Sequence, residues 1–328
     1  MSGIAPDAIN IGVSQRTMHQ SSGLPHVSGV RFVPLLARDS LIPESSSIIG
    51  LWRRQQDATA WVKDLLPALP QLAWVHTDTV GVDRLPLRWI HDRGIVVTNA
   101  RGAFATPIAE WVLCVMLMSS KRMPRFLAAA DATVWASDVS PSDLSDQTVL
   151  ILGYGSVGKE LSRLCSNLGL RVICVRRTAA IDELPPSGMT VLSAEDNWRQ
   201  FLSVSDFLVL AVPLTTETER LVNKGVLAQL RPGARLINVA RSKVIDEEAM
   251  IAALRAGTLA EAWLDVFAVE PLPPNDCLWR EPNVYITPHK SAVGESNELL
   301  TRKVFQRELG QFLRGEPPIN AVNLLRGY

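Results

Sequence analysis

Residues 148–158 read TVLILGYGSVG. Thr148 to Leu152 form an apolar run without alternation, the pattern of a strand buried on both faces. Gly153, Gly155 and Gly158 follow in G-x-G-x-x-G spacing. The spacing then predicts an amphipathic helix with Val157, Leu161, Leu164, Cys165 and Leu168 on one face and Gly169 at its end. RVICV (171–175) completes a strand–helix–strand unit. The glycine spacing alone is weak; the strand before it and the helix after it make it specific for a dinucleotide. Gly153 allows the tight turn, Gly155 lets backbone approach a pyrophosphate, and Gly158 lets helix and strand pack closely. The phosphates would meet free N–H groups at the helix start. The competing reading, a tight turn without a ligand, does not explain the full context.

After RVICV come Arg176, Arg177 and Thr178. An acid at this point normally takes the ribose hydroxyls of NAD, and an arginine accommodates the 2′-phosphate of NADP. Arg176 is expected just past the strand, where the acid belongs. Arg176 and Arg177 would attract the phosphate and Thr178 could add a hydrogen bond. NADP(H) is therefore the expected cofactor, with NAD(H) possible. The missing acid also argues against a methyltransferase. The alternatives are a solvated basic turn, or a ribose contact from Asp182.

Outward from this unit the same alternation continues. FLVLAV (207–212), ARLINVA (234–240), LAEAWLDVF (259–267) and VYIT (284–287) read as further strands, with a helix over Asp246–Ala256 closed by Gly257. Towards the N-terminus, VRFVPLL (30–36), SIIGLW (47–52), LAWVHT (72–77) and IVVTN (95–99) read as strands, and Asp57–Leu66 has helical spacing. A long helix is expected from Thr106 as cap and Pro107 as first residue, unbroken from Ile108 to Met123. Ser137–Gln147 reads as a connecting loop. A last helix spans about Glu295 to Arg314, and the Pro-containing tail Gly315–Tyr328 is expected on the surface. Alternating strands and helices twice over give an α/β protein with two Rossmann-like domains and parallel sheets.

Composition excludes other classes. The 328 residues suffice for two domains. Zero net charge points to neither nucleic acid nor an anionic membrane. The longest apolar run, Trp111 to Met118, is too short to span a bilayer, and MSGIAPDAIN is no signal peptide. Cys114, Cys165, Cys174 and Cys277 lack metal or redox spacing; three sit in apolar segments and are expected as buried thiols of a cytoplasmic protein. No metal site is expected.

Hydride transfer to a carbonyl requires a polarised carbonyl, a proton for the new alkoxide and a held substrate. In LINVARSKVIDEEA, Arg241 follows a strand end, where ligands of open α/β sheets bind, and can clamp a carboxylate. In YITPHK, His289 also follows a strand. Glu270 in LDVFAVEPLP is its expected partner: a Glu–His pair would hold an imidazolium suited to donating a proton near neutral pH.

In order, HTDTVGVDRL (76–85), IAEW (108–111), GYGSVG, INVAR, LDVFAVEPLP and TPH cover about residues 70–290 and resemble the D-isomer-specific 2-hydroxyacid dehydrogenase family. The resemblance implies a catalytic set of Arg241, Glu270 and His289, with the Val80 and Gly81 amides holding the substrate carboxylate. It implies cofactor contacts at Gly155, Ser156, Val157, Val212, Ala240 and Asp265. It also implies a substrate domain of 1–105 with 296–328, a dinucleotide-binding domain of 106–295 inserted into it, an active site in the cleft, and a homodimer through the dinucleotide-binding domain. LWREPNVYITPH and the closing RGY resemble the glyoxylate/hydroxypyruvate reductase branch, which often prefers NADPH. Three positions depart from the pattern: Ser242 replaces a glycine, Lys290 an apolar residue and Arg101 a common proline. The added basic groups fit either a second substrate anion or a solvated rim. The rival readings are an NAD-linked dehydrogenase of the phosphoglycerate type and a dinucleotide-sensing, corepressor-like binding protein.

Overall fold

Two all-parallel sheets organise the chain. The structure, a computed structural model, describes residues 8–18, 24–35, 47–54, 59–178 and 188–328. It divides into two compact units, 1–103 with 295–328, and 104–294.

The first unit holds β1 (Ile9–Ser14), β2 (Val30–Leu35), β3 (Ile48–Arg53), β4 (Trp74–Thr77) and β5 (Val96–Asn99), in the order β2-β1-β3-β4-β5. β1 was not expected from the sequence. Its polar positions Asn10, Gly12 and Ser14 mask the apolar Ile9, Ile11 and Val13, and Asn10 finds a partner in the Ser47 hydroxyl at 2.8 Å. Pro34 sits in β2, an edge strand, where a missing N–H is tolerated. The helices are α1 (Gln15–Met18), α2 (Thr59–Leu65) and α3 (Leu87–His91). The C-terminal helix of this unit, Asn297–Leu313, buries Phe305 and Leu309 against Ile11, Val13, Trp52 and Trp74. Trp52 and Phe305 stack at 3.8 Å. His76 lies fully buried beside them, its Nδ1 2.8 Å from the Thr98 hydroxyl. Burial, helped by Arg307, pushes its pKa down to about 3, so the ring is neutral.

The tail lies largely on the surface, as expected, but it is tied to the sheet. Ala321 bridges Thr98 in antiparallel fashion, and Asn320 and Val322 are buried. The tail extends the sheet beyond β5 and caps its edge.

The second unit holds β6 (Thr148–Leu152), β7 (Arg171–Arg176), β8 (Met189–Ser193), β9 (Phe207–Leu210), β10 (Ala234–Asn238), β11 (Leu259–Leu264) and β12 (Val284–Ile286). Their order is β12-β11-β10-β9-β6-β7-β8. The chain runs outward from β6 in one direction, then from β9 in the other, so a topological switch point lies between β6 and β9. Because all strands are parallel, every strand-to-helix loop of this sheet emerges at one carboxyl edge. One face packs under α4 (Ala105–Ser120) and α6 (Ser156–Asn167). The other packs around Trp198, Leu202, α7 (Lys224–Leu227) and α8 (Glu247–Arg255). Asp246 caps α8 by accepting from the Ala249 N–H at 3.2 Å, and the C-terminal helix of the first unit completes the set as α9.

Four local expectations need correction. Thr106 does not cap α4: the helix starts at Ala105 after Phe104, with no side-chain cap. Nor does it reach Met123. It ends at Ser120, four residues before Pro124, whose ring would clash with that carbonyl. Arg122 turns left-handed at φ 56° and α5 (Met123–Asp131) begins. Arg176 is the last residue of β7 rather than the first after it, because β8 extends the ladder to an Arg176–Ser193 pair. Of the three cysteines expected inside, Cys114 is exposed on α4, whereas burial pushes the Cys165 and Cys174 thiols up to about 12.

Candidate active site

The carboxyl edge of the seven-stranded sheet gathers the sequence-predicted residues of the second unit. Gly153 follows β6, Val212 follows β9, Ala240 and Arg241 follow β10, Asp265 follows β11 and His289 follows β12.

Two loop glycines are required by the protein's own packing. Gly153 has φ 114°, and a Cβ there would overlap the Ala211 carbonyl. A Cβ on Gly158 would overlap the Gly153 carbonyl oxygen. Gly155 differs: its φ is −82°, open to any residue, and a Cβ would meet no atom within 4 Å. Packing gives no reason for that glycine; a ligand lying on the backbone at the start of α6 does. The first intrahelical acceptor is the Gly155 carbonyl, taken by Lys159 at 2.9 Å, so the amides of Ser156, Val157 and Gly158 precede the helical ladder. This fits a pyrophosphate. A Gly158→Ala variant should lose a few kcal/mol of stability, about 1–3 by the cost of overpacking. Thermal melting checks it, and an unchanged midpoint would refute the close approach.

Arg176 is half-buried at the end of β7, and Arg177 and Thr178 are exposed beyond it. The Arg177 carbonyl takes the Ser193 hydroxyl at 3.4 Å. Among the described residues no carboxylate pairs with Arg176. Asp182 lies outside them.

Arg241 starts a short 3₁₀ turn, Ser242–Val244. Its guanidinium donates to the Ala240 carbonyl at 2.7 Å. Asn238, 1% exposed, braces this turn: its amide donates to the Arg241 carbonyl and its oxygen accepts from the Ala240 N–H, each at 3.0 Å. Sequence reasoning passed over Asn238. A polar residue ending an otherwise buried strand, ARLIN, was the available signal.

His289 Nδ1 lies 2.9 and 3.0 Å from the two Glu270 oxygens. A carboxylate only accepts, so Nδ1 carries the hydrogen and Nε2 is left for a substrate proton. Glu270 is itself fixed by the Phe267 N–H at 3.1 Å. His289 sits at φ 53°, a left-handed conformation that costs a histidine energy and needs support. Asp265 supplies it. Its fully buried carboxylate accepts from the Thr287 hydroxyl at 2.6 Å, the Lys290 N–H at 2.8 Å and the Ser291 N–H at 2.9 Å. The sequence reading gave Asp265 only as a cofactor contact; its side chain grips the loop on both sides of the histidine.

Of the departures, the Lys290 side chain is exposed. Arg101 is engaged with the tail, donating to the Ile319 carbonyl at 3.0 Å. Val80 and Gly81 belong to the first unit, in the loop after β4, with Val80 40% exposed. Among the described residues no group of three or more His, Cys, Asp or Glu could hold a metal ion, and no helix is long and apolar enough to cross a membrane.

The profile of the D-isomer specific 2-hydroxyacid dehydrogenase family, NAD binding domain, matches residues 113–291. The chain belongs to this family. It is an NAD(P)-dependent 2-hydroxyacid dehydrogenase, an oxidoreductase. The dehydrogenase is 30% identical over 268 residues to a glyoxylate reductase of Korarchaeum cryptofilum, covering 79% of each chain. It is 34% identical over 250 residues to D-3-phosphoglycerate dehydrogenase 2 of Arabidopsis thaliana, covering 74% of this chain but 39% of that one. Its fold matches that of an NADPH-dependent glyoxylate/hydroxypyruvate reductase from Sinorhizobium meliloti, solved with NADP and sulfate. That match has a TM-score of 0.81 at 26% identity and covers 98% of this chain and 100% of the other.

Proposed function

We propose that this dehydrogenase reduces a small 2-oxoacid of the glyoxylate or hydroxypyruvate kind to its D-2-hydroxy acid, with NADPH as the preferred reductant. The observation that carries the reading is the His289–Glu270 pair, at the same sheet edge as Arg241. The unit built on β6 to β12 is the dinucleotide-binding domain, and the split unit formed by the two chain ends is the substrate domain.

The Gly153–Gly158 loop would hold the pyrophosphate, and Val212, Ala240 and the Asp265 position would contact the rest of the cofactor, which would supply the hydride. Arg241 anchors the substrate carboxylate and polarises the neighbouring carbonyl; in the substrate domain, the amides of Val80 and Gly81 are the proposed carboxylate donors. His289 gives its Nε2 proton to the oxygen that becomes the hydroxyl, while Glu270 stabilises the imidazolium before the transfer and keeps the ring aimed.

Arg176, Arg177 and Thr178 take the 2′-phosphate. Arg176→Asp removes one charge-assisted contact and adds repulsion, so the NADPH-to-NADH ratio of kcat/KM should fall about ten- to a hundredfold. Steady-state kinetics with both cofactors decides this, and an unchanged ratio would place the arginines outside the site. The same assay separates the reductase from an NAD-linked dehydrogenase of the phosphoglycerate type.

We infer that a second copy of the chain packs on a groove along α4, about 370 Å³ in volume, lined by Leu113, Cys114, Leu117, Met118 and Met123 with Glu110 and Lys121 at its side. Trp135, 92% exposed, supports the same reading. The four cysteines are free thiols, in keeping with a cytoplasmic setting.

A further inference from the structure

The loop after β4 is held from behind. The Thr79 carbonyl accepts from the Ala100 N–H at 3.1 Å, and the Val80 carbonyl accepts from Asn99 Nδ2 at 2.8 Å. In a trans peptide the N–H points opposite to the C=O. The Val80 and Gly81 amides belong to these same two peptide units, so both point away from β5. Thr79 closes the turn by donating its hydroxyl to the Gly81 carbonyl at 3.0 Å.

Asn99, 5% exposed at the end of β5, is itself fixed. Its side-chain oxygen accepts from the Arg101 N–H at 3.2 Å. Its backbone N–H donates to the Asn320 carbonyl at 3.3 Å, and its carbonyl accepts from Asn320 Nδ2 at 3.0 Å. Asn320 also donates to the Arg101 carbonyl at 2.9 Å. Behind it stands Glu308 of α9, 0% exposed, whose one oxygen accepts from the Ile319 and Asn320 amides at 3.0 and 3.1 Å. Arg307 holds the other at 2.8 Å. A continuous relay thus runs Glu308–Asn320–Asn99–Val80, from the C-terminal helix to the loop.

We propose that Asn99, locked by Asn320 and Glu308, is a positioning residue that aims the Val80 and Gly81 amides at the substrate carboxylate. This rests on the reading that those amides take the carboxylate. Asn99 acts through the Val80 peptide, not on the substrate. The tail is therefore part of the substrate-binding apparatus.

Asn99→Asp keeps the size and the acceptor for Arg101 but loses the donor and turns a carboxylate on the Val80 carbonyl. The full-length variant, assayed with NADPH, should show a KM for glyoxylate raised about tenfold, the loss of one hydrogen bond. The inhibition constant of oxamate, an unreactive carboxylate analogue, should rise by the same factor. Because the lost contact serves ground and transition states alike, kcat should stay within about threefold, and NADPH affinity should not move. Asn320→Ser, one link further back, should raise both constants in the same direction, and it carries the test if Asn99→Asp does not fold. Unchanged KM and oxamate inhibition in both variants overturn the positioning role while the carboxylate reading stands. A parallel loss of kcat, NADPH affinity and melting temperature also overturns it, as a merely structural effect. A wild type neither saturated by glyoxylate nor inhibited by oxamate overturns both readings.

Discussion

His289→Ala should lower kcat for 2-oxoacid reduction by about 10²- to 10⁴-fold, the usual worth of a positioned proton donor, and leave NADPH binding nearly intact. Reduction makes an alkoxide, and His289 is placed to protonate it, with Nδ1 on Glu270 at 2.9 Å and Nε2 left over. Reduction uses the ring as proton donor, and oxidation of the hydroxy acid uses it as base. Glu270→Gln retains a hydrogen-bonding side chain without its charge and should depress turnover in the same sense. Cofactor affinity, read by NADPH fluorescence, separates these effects from damage to the dinucleotide loop. A His289→Ala enzyme with wild-type kcat would rule out this mechanism.

Arg241→Lys should lower kcat/KM by about two orders of magnitude, comparable to removing one preorganised donor at a developing oxyanion. Lysine keeps the charge but not the planar fork that addresses a carboxylate and the adjacent carbonyl together. The brace on this position strengthens the expectation. Asn238 fixes the Ala240–Arg241 backbone from within the sheet, so a shorter or rounder head group cannot be compensated by a shift of the turn. The drop should fall on both kcat and KM, with NADPH affinity unchanged. Wild-type kinetics would place Arg241 outside the site.

The fold and the seven-stranded sheet's principal loops were legible because their signals are local. Thr148–Leu152 appears in the structure with the bounds its apolar run suggested, and each later strand differs by a few residues at its C-terminal end. β1 and β8 were not legible. β1 interleaves its apolar residues with Asn10, Gly12 and Ser14, and β8 is an edge strand whose apolar Met189, Val191 and Leu192 are broken by Thr190 and ended by Ser193. The break after Ser120 was readable from Pro124, through its reach back four residues, but the absence of Gly or Pro from Ile108 to Met123 concealed it. At the site, the residue types that do chemistry stood out. Those that hold them did not: Asn99, Asn238 and the buried grip of Asp265 act through backbone atoms of residues distant in sequence, and no spacing rule connects them. The same holds for the tail, whose partners Thr98 and Asn99 precede it by more than two hundred residues.

That long return has a consequence for biosynthesis. The core around Trp52 and Trp74 is completed by Phe305 and Leu309, and the edge of β5 by Ala321. A nascent chain that has delivered β1 to β5 still lacks both. The stretch from 104 to 294 carries all seven strands of its own sheet and has no such wait. Domains generally fold as units, N-terminal first, as they leave the ribosome; here the order is reversed. The later-made segment becomes self-sufficient first, and the earlier one completes its core only when residues 295–328 have followed.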